Sequence, residues 1–295
     1  MTSALTPQLN GRVLSVDAAL RQPSLIQAQI ARLADEVLLA PKFLRQLGAP
    51  VTGGGLLFHT VAASDFYSTD VEMRTPGAEY RVVEGVDPTP SVAAVEDWGG
   101  KFFIADEVIT RNTVNYLDNQ TTQLANTIAR KLDTRLMAKV AAAGIATLVP
   151  AHGWDDLTFV GPLTDITPSA DRPTAHFAEV QEMADLEELG VRHDLLIVHP
   201  EQARQLRTAY AEDLDAMLES AGFTNGMFAN PRVPIGVAYT VAQGMVGTIG
   251  WESAGLVTEV IDDRHKRGKW VQAYAVPAIA IDRPYAAKRI NGLSA

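Results

Sequence analysis

Six histidines are the residues of this sequence that could act as general bases or metal ligands. They are His59, His152, His176, His193, His199 and His265. None forms an i, i+4 pair with an acidic residue between them, the arrangement that binds zinc in metallopeptidases. His193 and His199 flank one short predicted strand, which places them about 20 Å apart. The spacing therefore predicts no metal site, and His199 before Pro200 is predicted to cap a helix.

Paired carboxylates are the second group that could do chemistry, as a general acid and a general base. The candidate pairs are Asp155–Asp156 near His152, Asp262–Asp263 near His265, and Asp106–Glu107. The first two pairs fall in turn-like polar sequence, which predicts solvated side chains. The third precedes a helical pattern and has no neighbour that suggests a raised pKa. None of the pairs is a convincing catalytic centre.

Other catalytic and cofactor motifs are also missing from the sequence. The run Gly53-Gly54-Gly55 has no following lysine and does not join a strand to a helix, so it fits neither a phosphate loop nor a dinucleotide-binding turn. No serine lies in a Gly-x-Ser-x-Gly elbow. The absence of cysteine excludes disulfides, thiolate metal sites and a cysteine nucleophile. We therefore expect no enzyme, no cofactor and no bound metal.

The composition is that of a globular protein with a substantial core. Hydrophobic residues make up 47% of the 295 residues and charged residues 20%. The formal net charge of −10 argues against a protein that grips nucleic acid through a basic surface, but it suits a wall that merely encloses nucleic acid. There is no apolar run of the roughly 20 residues that a membrane span needs, and no signal-peptide pattern. The protein is expected to be made and kept in the cytoplasm, or in something assembled there.

Residues 113–143 carry the strongest secondary-structure signal. One stripe repeats at helical spacing: Leu117, Thr121, Leu124, Ile128, Leu132, Leu136 and Val140. Gly144 can close a helix that, at about 1.5 Å per residue, is roughly 46 Å long. The narrow stripe predicts a strut packed against a sheet on one side. Arg130 and Arg135 on its outer faces contact either solvent or acidic patches of neighbouring molecules.

The region before this helix divides into an arm and a β-type excursion. Residues 1–22 are predicted to be extended, a helix follows from residue 25 until Pro41 stops or kinks it, and a short turn, Phe43-Leu44-Leu47, ends at Gly48. Residues 64–90 form a long two-stranded excursion whose turn signal is Pro76-Gly77.

This excursion has too few apolar residues for a core of its own. The β-type runs are Leu56-Leu57-Phe58 before it and Tyr80-Arg81-Val82-Val83 within it. A lone hairpin is marginal in water, so it is expected to lie on a neighbouring copy. Its charged residues Asp70, Glu72, Arg74 and Arg81 are the candidate contacts there, together with Arg130 and Arg135 of the long helix.

The rest of the chain is a compact α/β unit followed by strands. The unit consists of a helix at 175–189, a buried strand at 194–198 and a helix at 201–218. Four strands are predicted after it, at 235–241, 245–251, 256–262 and 269–281. The charged loop 263–268 joins the last two strands as a hairpin, and Asp282-Arg283-Pro284-Tyr285 ends the last strand.

Three of these segments resemble the major capsid protein of tailed bacteriophages, particularly those of actinobacterial phages, which has the Hong Kong 97 shell fold of the α+β class. The segment beginning VEDWGGKFFIADEVITRN resembles its strand and spine-helix region, and HDLLIVHPEQARQLRTAY resembles its A-domain strand and helix. VAYTVAQGMVGTIGWESAGLVTEVIDDRHKRGKWVQAYAVPAIAIDRPYAAKRINGL resembles its closing strands. The resemblance is good over about residues 95–150 and 175–292.

The resemblance implies a division of the chain. The parts are an N-terminal arm and short helix (1–50), an E-loop with flanking strands (51–100), a P-domain with the spine helix 113–143 (101–150), an A-domain (151–254) and closing P-domain strands (255–295). It implies that copies form hexamers and pentamers, which close into an icosahedral shell around double-stranded DNA.

The implied partners are further copies of the chain, a portal and a separate scaffolding protein. Some family members carry a long cleavable scaffolding region before the arm. Here the arm and E-loop occupy the residues before the long helix, so a separate scaffolding protein is expected. The virion is the expected location, with assembly in the host cytoplasm and no membrane.

Two other functions stay open. An encapsulin-like bacterial compartment has the same fold but encloses enzymes. A hydrolase or transferase with an α/β domain would need His193, His199 or the Asp155-Asp156 turn to meet in one pocket.

Some members of the resembled family lock the shell with an isopeptide bond between an E-loop lysine and an asparagine. This sequence has no lysine between Lys42 and Lys101, a stretch that includes the whole E-loop. We therefore expect shells of this protein to carry no such cross-link. Mass spectrometry of boiled shells checks this, and covalent ladders of subunits would contradict it.

Overall fold

The structure is a computed structural model that describes residues 38–85, 88–111, 114–162 and 164–294, with Leu20, Ser24, Ile26 and Ala28 before them. Within these residues the helices are α1 Ala40–Phe43, α2 Asp106–Thr110, α3 Val114–Ala142, α4 Pro173–Asp185, α5 Pro200–Tyr210 and α6 Leu214–Ser220. The strands are β1 Leu44–Gln46, β2 Gly55–His59, β3 Pro90–Ala94, β4 Trp98–Ala105, β5 Thr147–Leu148, β6 Leu195–Val198, β7 Met227–Ala229, β8 Val237–Val241, β9 Gly247–Asp263, β10 Gly268–Ala280 and β11 Ala287–Asn291. Most of the predicted arm, and most of the helix predicted from residue 25, lie outside the described residues.

Three sheets organise the described chain. A four-stranded sheet has the order β1-β9-β10-β4, a five-stranded sheet has the order β5-β11-β8-β6-β7, and β2 pairs with β3 alone. In the four-stranded sheet β10 is antiparallel to both β9 and β4, while β1 is parallel to β9. The chain enters each large sheet more than once, so neither sheet is a contiguous stretch of sequence.

The long helix α3 lies along the four-stranded sheet, as the sequence predicted. Its stripe is buried from Leu117 to Val140, with only Leu124 partly exposed. The N-terminal half of the stripe packs with Ile104 of β4 and Val271 of β10. At its end Gly144 adopts a φ of +68°, the left-handed conformation that closes helices. The predicted bounds, 113–143, agree with the observed helix to within one residue at each end.

The C-terminal half of α3 joins the two large sheets through one core. Leu136 and Val140 pack in the same cluster as Ile249 of β9 and Tyr239 of β8. A second core fills the space between the five-stranded sheet and the helices over it, where Phe177 of α4 and Leu206 of α5 meet the buried strand β6. The predicted α/β unit is therefore present.

Two predicted elements have different extents in the structure. The predicted strands 245–251 and 256–262 form one strand, β9, because both pair with β10 and a register shift between Ala275 and Pro277 takes up the intervening residues. The predicted helix 201–218 is two helices, because Ala211 has a φ of +47° and ends α5. Pro41 lies in the first turn of α1 and so begins a helix, whereas a stop or kink was predicted there.

The turn predicted over Phe43-Leu44-Leu47 is only partly helical, because the chain turns from α1 into strand β1 at Leu44.

Strand β11 was missed by the sequence analysis. It pairs with β8 and β5, and its Lys288 is fully buried, with Nζ donating to Glu187 Oε1 at 2.6 Å. A lysine at a core position interrupts the apolar pattern by which a buried strand is predicted from sequence. The burial of this lysine is tolerated because its charge is paired with a carboxylate.

The buried histidine His193 generates a pH-dependence prediction. The pKa of His193 is lowered to about 4, chiefly by burial and also by the nearby charge of Lys288, while Asp185 partly opposes this. The unfolded chain takes up the proton near pH 6.5 and the folded chain does not, so stability is complete above that value and is lost as the pH falls. We expect the free energy of unfolding to drop by about 3 kcal/mol between pH 6.5 and pH 4 from this residue.

Urea denaturation of the unassembled chain at a series of pH values measures this drop. His193→Gln should remove this drop in the free energy of unfolding, while His265→Gln in the exposed β9–β10 turn should retain it. Equal slopes for the wild-type chain and His193→Gln would refute the assignment.

Candidate assembly interface

Residues 66–85 form an excursion in which every residue is exposed. Its turn is closed by Ala78 N donating to Thr75 O at 3.1 Å, and Gly77 has the φ of +91° that favours glycine after proline in a tight turn. Thr69 N donates to Glu84 O at 3.2 Å. These two bonds fix an antiparallel hairpin, which we call the E-loop hairpin, with its turn at the predicted Pro76-Gly77.

The register of the hairpin follows from its cross-limb contacts. Arg81 Nη1 donates to Glu72 Oε1 at 2.6 Å, in the same register as the bond between Thr69 and Glu84. This register places Val71 opposite Val82 and Met73 opposite Tyr80, and side chains of opposed residues share a face. The apolar side chains Val71, Met73, Tyr80 and Val82 are therefore paired across the two limbs, with the guanidinium of Arg74 against the Tyr80 ring among them.

The four apolar side chains are open to solvent in the single chain. Val71 is 75% exposed, Met73 96%, Tyr80 76% and Val82 81%. No described part of the chain covers these four side chains, which we call the apolar hairpin face. The sequence analysis missed them, although the period-2 alternation of DVEMR and EYRVV is the signal that could have found them.

No regular strand forms in the described part of 64–90 before Pro90, so the strand predicted at 80–83 is wrong. The limbs are held by one backbone bond, a bond from Glu84 N to Thr69 Oγ1, the ion pair and the turn, not by a complete ladder. A two-stranded ribbon without a third strand or a packed face is marginal in water. The predicted strand at 56–58 is present as β2.

The base of the hairpin, unlike its tip, is fastened to the body of the molecule. The rings of Phe66 and Tyr285 are 5.5 Å apart and nearly perpendicular. Tyr67 Oη donates to the carbonyl oxygens of Glu187 and Glu188 at 3.4 and 3.3 Å. The base of the hairpin is thus held in place on the surface of the body. The tip makes no such contact with the described body.

The six predicted contact residues occupy two places in the structure. Four lie on the E-loop hairpin, where Asp70 accepts a bond from Val71 N, Glu72 pairs with Arg81, and the guanidinium of Arg74 lies 4.7 Å from the centroid of the Tyr80 ring. They are therefore brought together with the apolar hairpin face. That they contact a neighbouring copy stays a prediction.

The other two lie on α3. Arg130 is exposed on the helix surface. Arg135 donates through Nε to Glu96 Oε2 at 2.6 Å and through Nη2 to Glu96 Oε1 at 2.5 Å. This hydrogen bonding lowers the pKa of Glu96. Arg135 thus fastens the helix to the segment before β4, and its contact with another copy stays a prediction.

The histidines and acidic pairs are dispersed in the described structure. His199 Nδ1 accepts a bond from Glu201 N at 3.2 Å, which confirms the predicted helix cap. His176 Nδ1 accepts from Trp154 Nε1 at 3.2 Å in the core, and His193 is buried. Asp262 pairs with Arg264 in the exposed turn. Among the residues that the structure describes, no three histidine or acidic side chains converge as a metal site would require.

None of the helices in the described residues is long and apolar enough to cross a membrane.

The apolar hairpin face, with the charged residues beside it, is the described surface best suited to bind another protein. Such a surface can contact a protein of matching shape, because burying its four side chains removes apolar area from water.

Comparisons with known proteins agree with this geometry. A family model described as phage capsid protein matches residues 88–290. A comparison with curated proteins gives no match.

Several solved structures share the fold at low sequence identity. The virus-like particle from Pyrococcus furiosus is 10% identical, covers 91% of this chain and 98% of its own, and has a TM-score of 0.62. The capsid of cyanophage P-SCSP1u is 12% identical, with 98% and 93% covered and a TM-score of 0.57. A chain from Microbacterium phage Oxtober96 is 14% identical, with 86% and 91% covered and a TM-score of 0.59.

The family match covers more than half of the chain, and the mixed helix and sheet architecture is the one these structures share. The chain therefore belongs to the phage capsid protein family and is a capsid shell protein with the Hong Kong 97-like fold.

Proposed function

We propose that this chain is the major capsid protein of a tailed phage, whose copies form hexamers and pentamers that close into an icosahedral shell around double-stranded DNA. The observation that carries the proposal is the apolar hairpin face, which projects from a well-packed body with nothing in the described chain to cover it. A structural role of this kind needs no catalytic centre.

The energetics of the hairpin favour contact between copies. Ordering a segment without its own core costs conformational entropy. Burying Val71, Met73, Tyr80 and Val82 on a neighbour offsets that cost at roughly 25 cal/mol per Å² of apolar area. Because each copy both gives and receives such a contact, modest individual energies add up over a closed shell.

The division of the chain follows from this assignment as a proposal. Residues 1–50 comprise a short helix and the arm, about 1–40, which reaches under one neighbour. Residues 51–100 comprise flanking strands and the E-loop, about 60–92, which lies over another. Residues 101–150 and 255–295 belong to the P-domain wall, and 151–254 form the A-domain at the centre of each capsomer. The charged hairpin residues Asp70, Glu72, Arg74 and Arg81 and the helix residues Arg130 and Arg135 are the proposed contacts between subunits.

The remaining partners also belong to the proposal. The net charge of −10 suits a wall that encloses DNA without gripping it. A separate scaffolding protein and a portal assist assembly in the host cytoplasm, after which the protein resides in the virion.

An encapsulin-like compartment is the second candidate. The virus-like particle from Pyrococcus furiosus has the same fold, with a TM-score of 0.62, which favours a shell but not its contents. What lies inside the particle separates the two functions. Packaged nucleic acid supports the phage capsid, and a packaged enzyme supports the compartment.

Electron microscopy of the purified chain, alone and with a supplied scaffold, tests the proposal. We expect hexameric rings or closed particles of uniform size, because the hairpin and arm contacts repeat in every copy. Nuclease-protected nucleic acid inside particles from infected cells is the second expected result. A chain that stays monomeric even with scaffold would contradict the proposed assembly.

The apolar hairpin face predicts a specific assembly defect. Val71→Ser with Val82→Ser should weaken each contact by about 2 kcal/mol, because two buried side chains become polar. Assembly, measured by sedimentation velocity, should then shift towards unassembled subunits. The circular dichroism and melting temperature of the subunit should stay unchanged, because these side chains contribute nothing to its core.

The matched control is Val160→Ser, which replaces another highly exposed valine outside the hairpin. It should assemble as the wild-type chain does. Equal assembly of the double variant and the control would show that the hairpin face is not an interface.

A further inference from the structure

The helices over the five-stranded sheet form two grooves with opposite charge. The first lies between α4 and α6 and has a volume of about 550 Å³. Its walls include Ala178, Ala221 and the 75% exposed Leu186. Glu182 and Asp185 of α4 also line it. We call it the acidic groove.

The second groove lies beside α5, between this helix and the end of strand β7. Pro200, Ala203 and Ala229 line it together with Arg204 and Arg207. Both arginines are exposed, and neither forms an ion pair with another residue of the described chain. We call α5 with these two side chains the basic ridge.

Helix α4, which carries the acidic pair, and helix α5, which carries the basic pair, lie over different strands of the sheet. Helix α4 packs against β11, whereas α5 packs against β6 and β7. Strands β11 and β7 are on opposite sides of β8, and β7 is an edge strand. A closed ring of identical subunits needs this arrangement, because each subunit meets its neighbours through two different, complementary surfaces.

We propose that the basic ridge of one copy seats in the acidic groove of the next copy around a capsomer ring. This inference rests on the proposed function, since it names the contact that closes the rings. Arg204 and Arg207 are three residues apart on one helix, and Glu182 and Asp185 are three residues apart on another. Both pairs therefore project from one side at a spacing of roughly 5–6 Å, so two ion pairs form together.

The contact combines packing with charge recognition. The aliphatic stems of both arginines lie over the apolar floor formed by Ala178, Leu186 and Ala221, while the guanidinium groups reach the carboxylates at its rim. Exposed ion pairs contribute little energy individually. Their main effect is to select the neighbour and its register, because a displaced or inverted ring contact would juxtapose like charges.

Charge reversal tests the contact in the full-length chain. Arg204→Glu with Arg207→Glu, and separately Glu182→Lys with Asp185→Lys, should each reduce the yield of assembled rings or particles by about tenfold or more relative to the wild-type chain. Combining all four substitutions restores both the complementary contact and the net charge of −10. The four-substitution variant should therefore regain assembly, as measured by sedimentation velocity and negative-stain electron microscopy.

Mixing the two double variants gives an independent readout. One variant presents two acidic surfaces and the other presents two basic surfaces, so they can alternate around a ring only when the number of subunits is even. The mixture should form hexamers and no pentamers. Arg192→Glu, an exposed arginine of the same region that lines neither groove, is the control and should assemble normally.

The outcomes separate this inference from the proposed function. Wild-type particles together with normal assembly of either double variant would overturn the ring contact and leave the shell proposal standing. Failure of the four-substitution variant to recover, with its circular dichroism unchanged, would also overturn it. A wild-type chain that never assembles, even with scaffold, would count against the shell and the contact together.

Discussion

Burial of one apolar stripe of the long helix α3 against the four-stranded sheet holds the other parts of this subunit in place. The helix also contacts the segments on either side of that sheet through two charged groups. Asp133, buried on α3, accepts bonds from Leu39 N at 2.8 Å and Asn230 Nδ2 at 3.0 Å, and burial raises its pKa to about 6. Arg135 binds Glu96 before β4. One helix therefore ties the start of the described body to both large sheets.

Because the body of the subunit is well packed without it, another segment of the chain can project from the body without packing against it. Within the described chain the E-loop hairpin is fastened at its base, by Phe66 and Tyr67, and its apolar side chains are exposed to solvent. In an isolated globular protein such a face would be a liability for aggregation. In a shell subunit it is an interface whose partner is the next copy, and the fixed base limits the directions in which it can reach.

The charged residues of the interior and those of the surface differ in a similar way. Inside, the cation of Lys288 is buried but paired with Glu187, while His193 beside it is kept neutral by burial. Outside, Arg204 and Arg207 have no ionic partner in the described chain, and Glu182 and Asp185 line a separate groove. Charges that stabilise the subunit are satisfied within it, and those left unsatisfied are available to neighbours.

The sequence alone determined the elements whose signals are local. The stripe of α3, the turn at Pro76-Gly77, the cap at His199 and the α/β unit all follow from residue spacing or from the preferences of single residues. The segments resembling phage capsid proteins added the fold. Tertiary structure decided the rest, because those features depend on partners distant in sequence. Strand β11 forms because β8 and β5 pair with it, and Glu187 compensates the burial of its Lys288 from a distant part of the sequence. Strand β9 stays continuous because β10 shifts register beside it. The hairpin limbs remain outside any sheet because no third strand in the described chain pairs with them, a condition that no local pattern encodes.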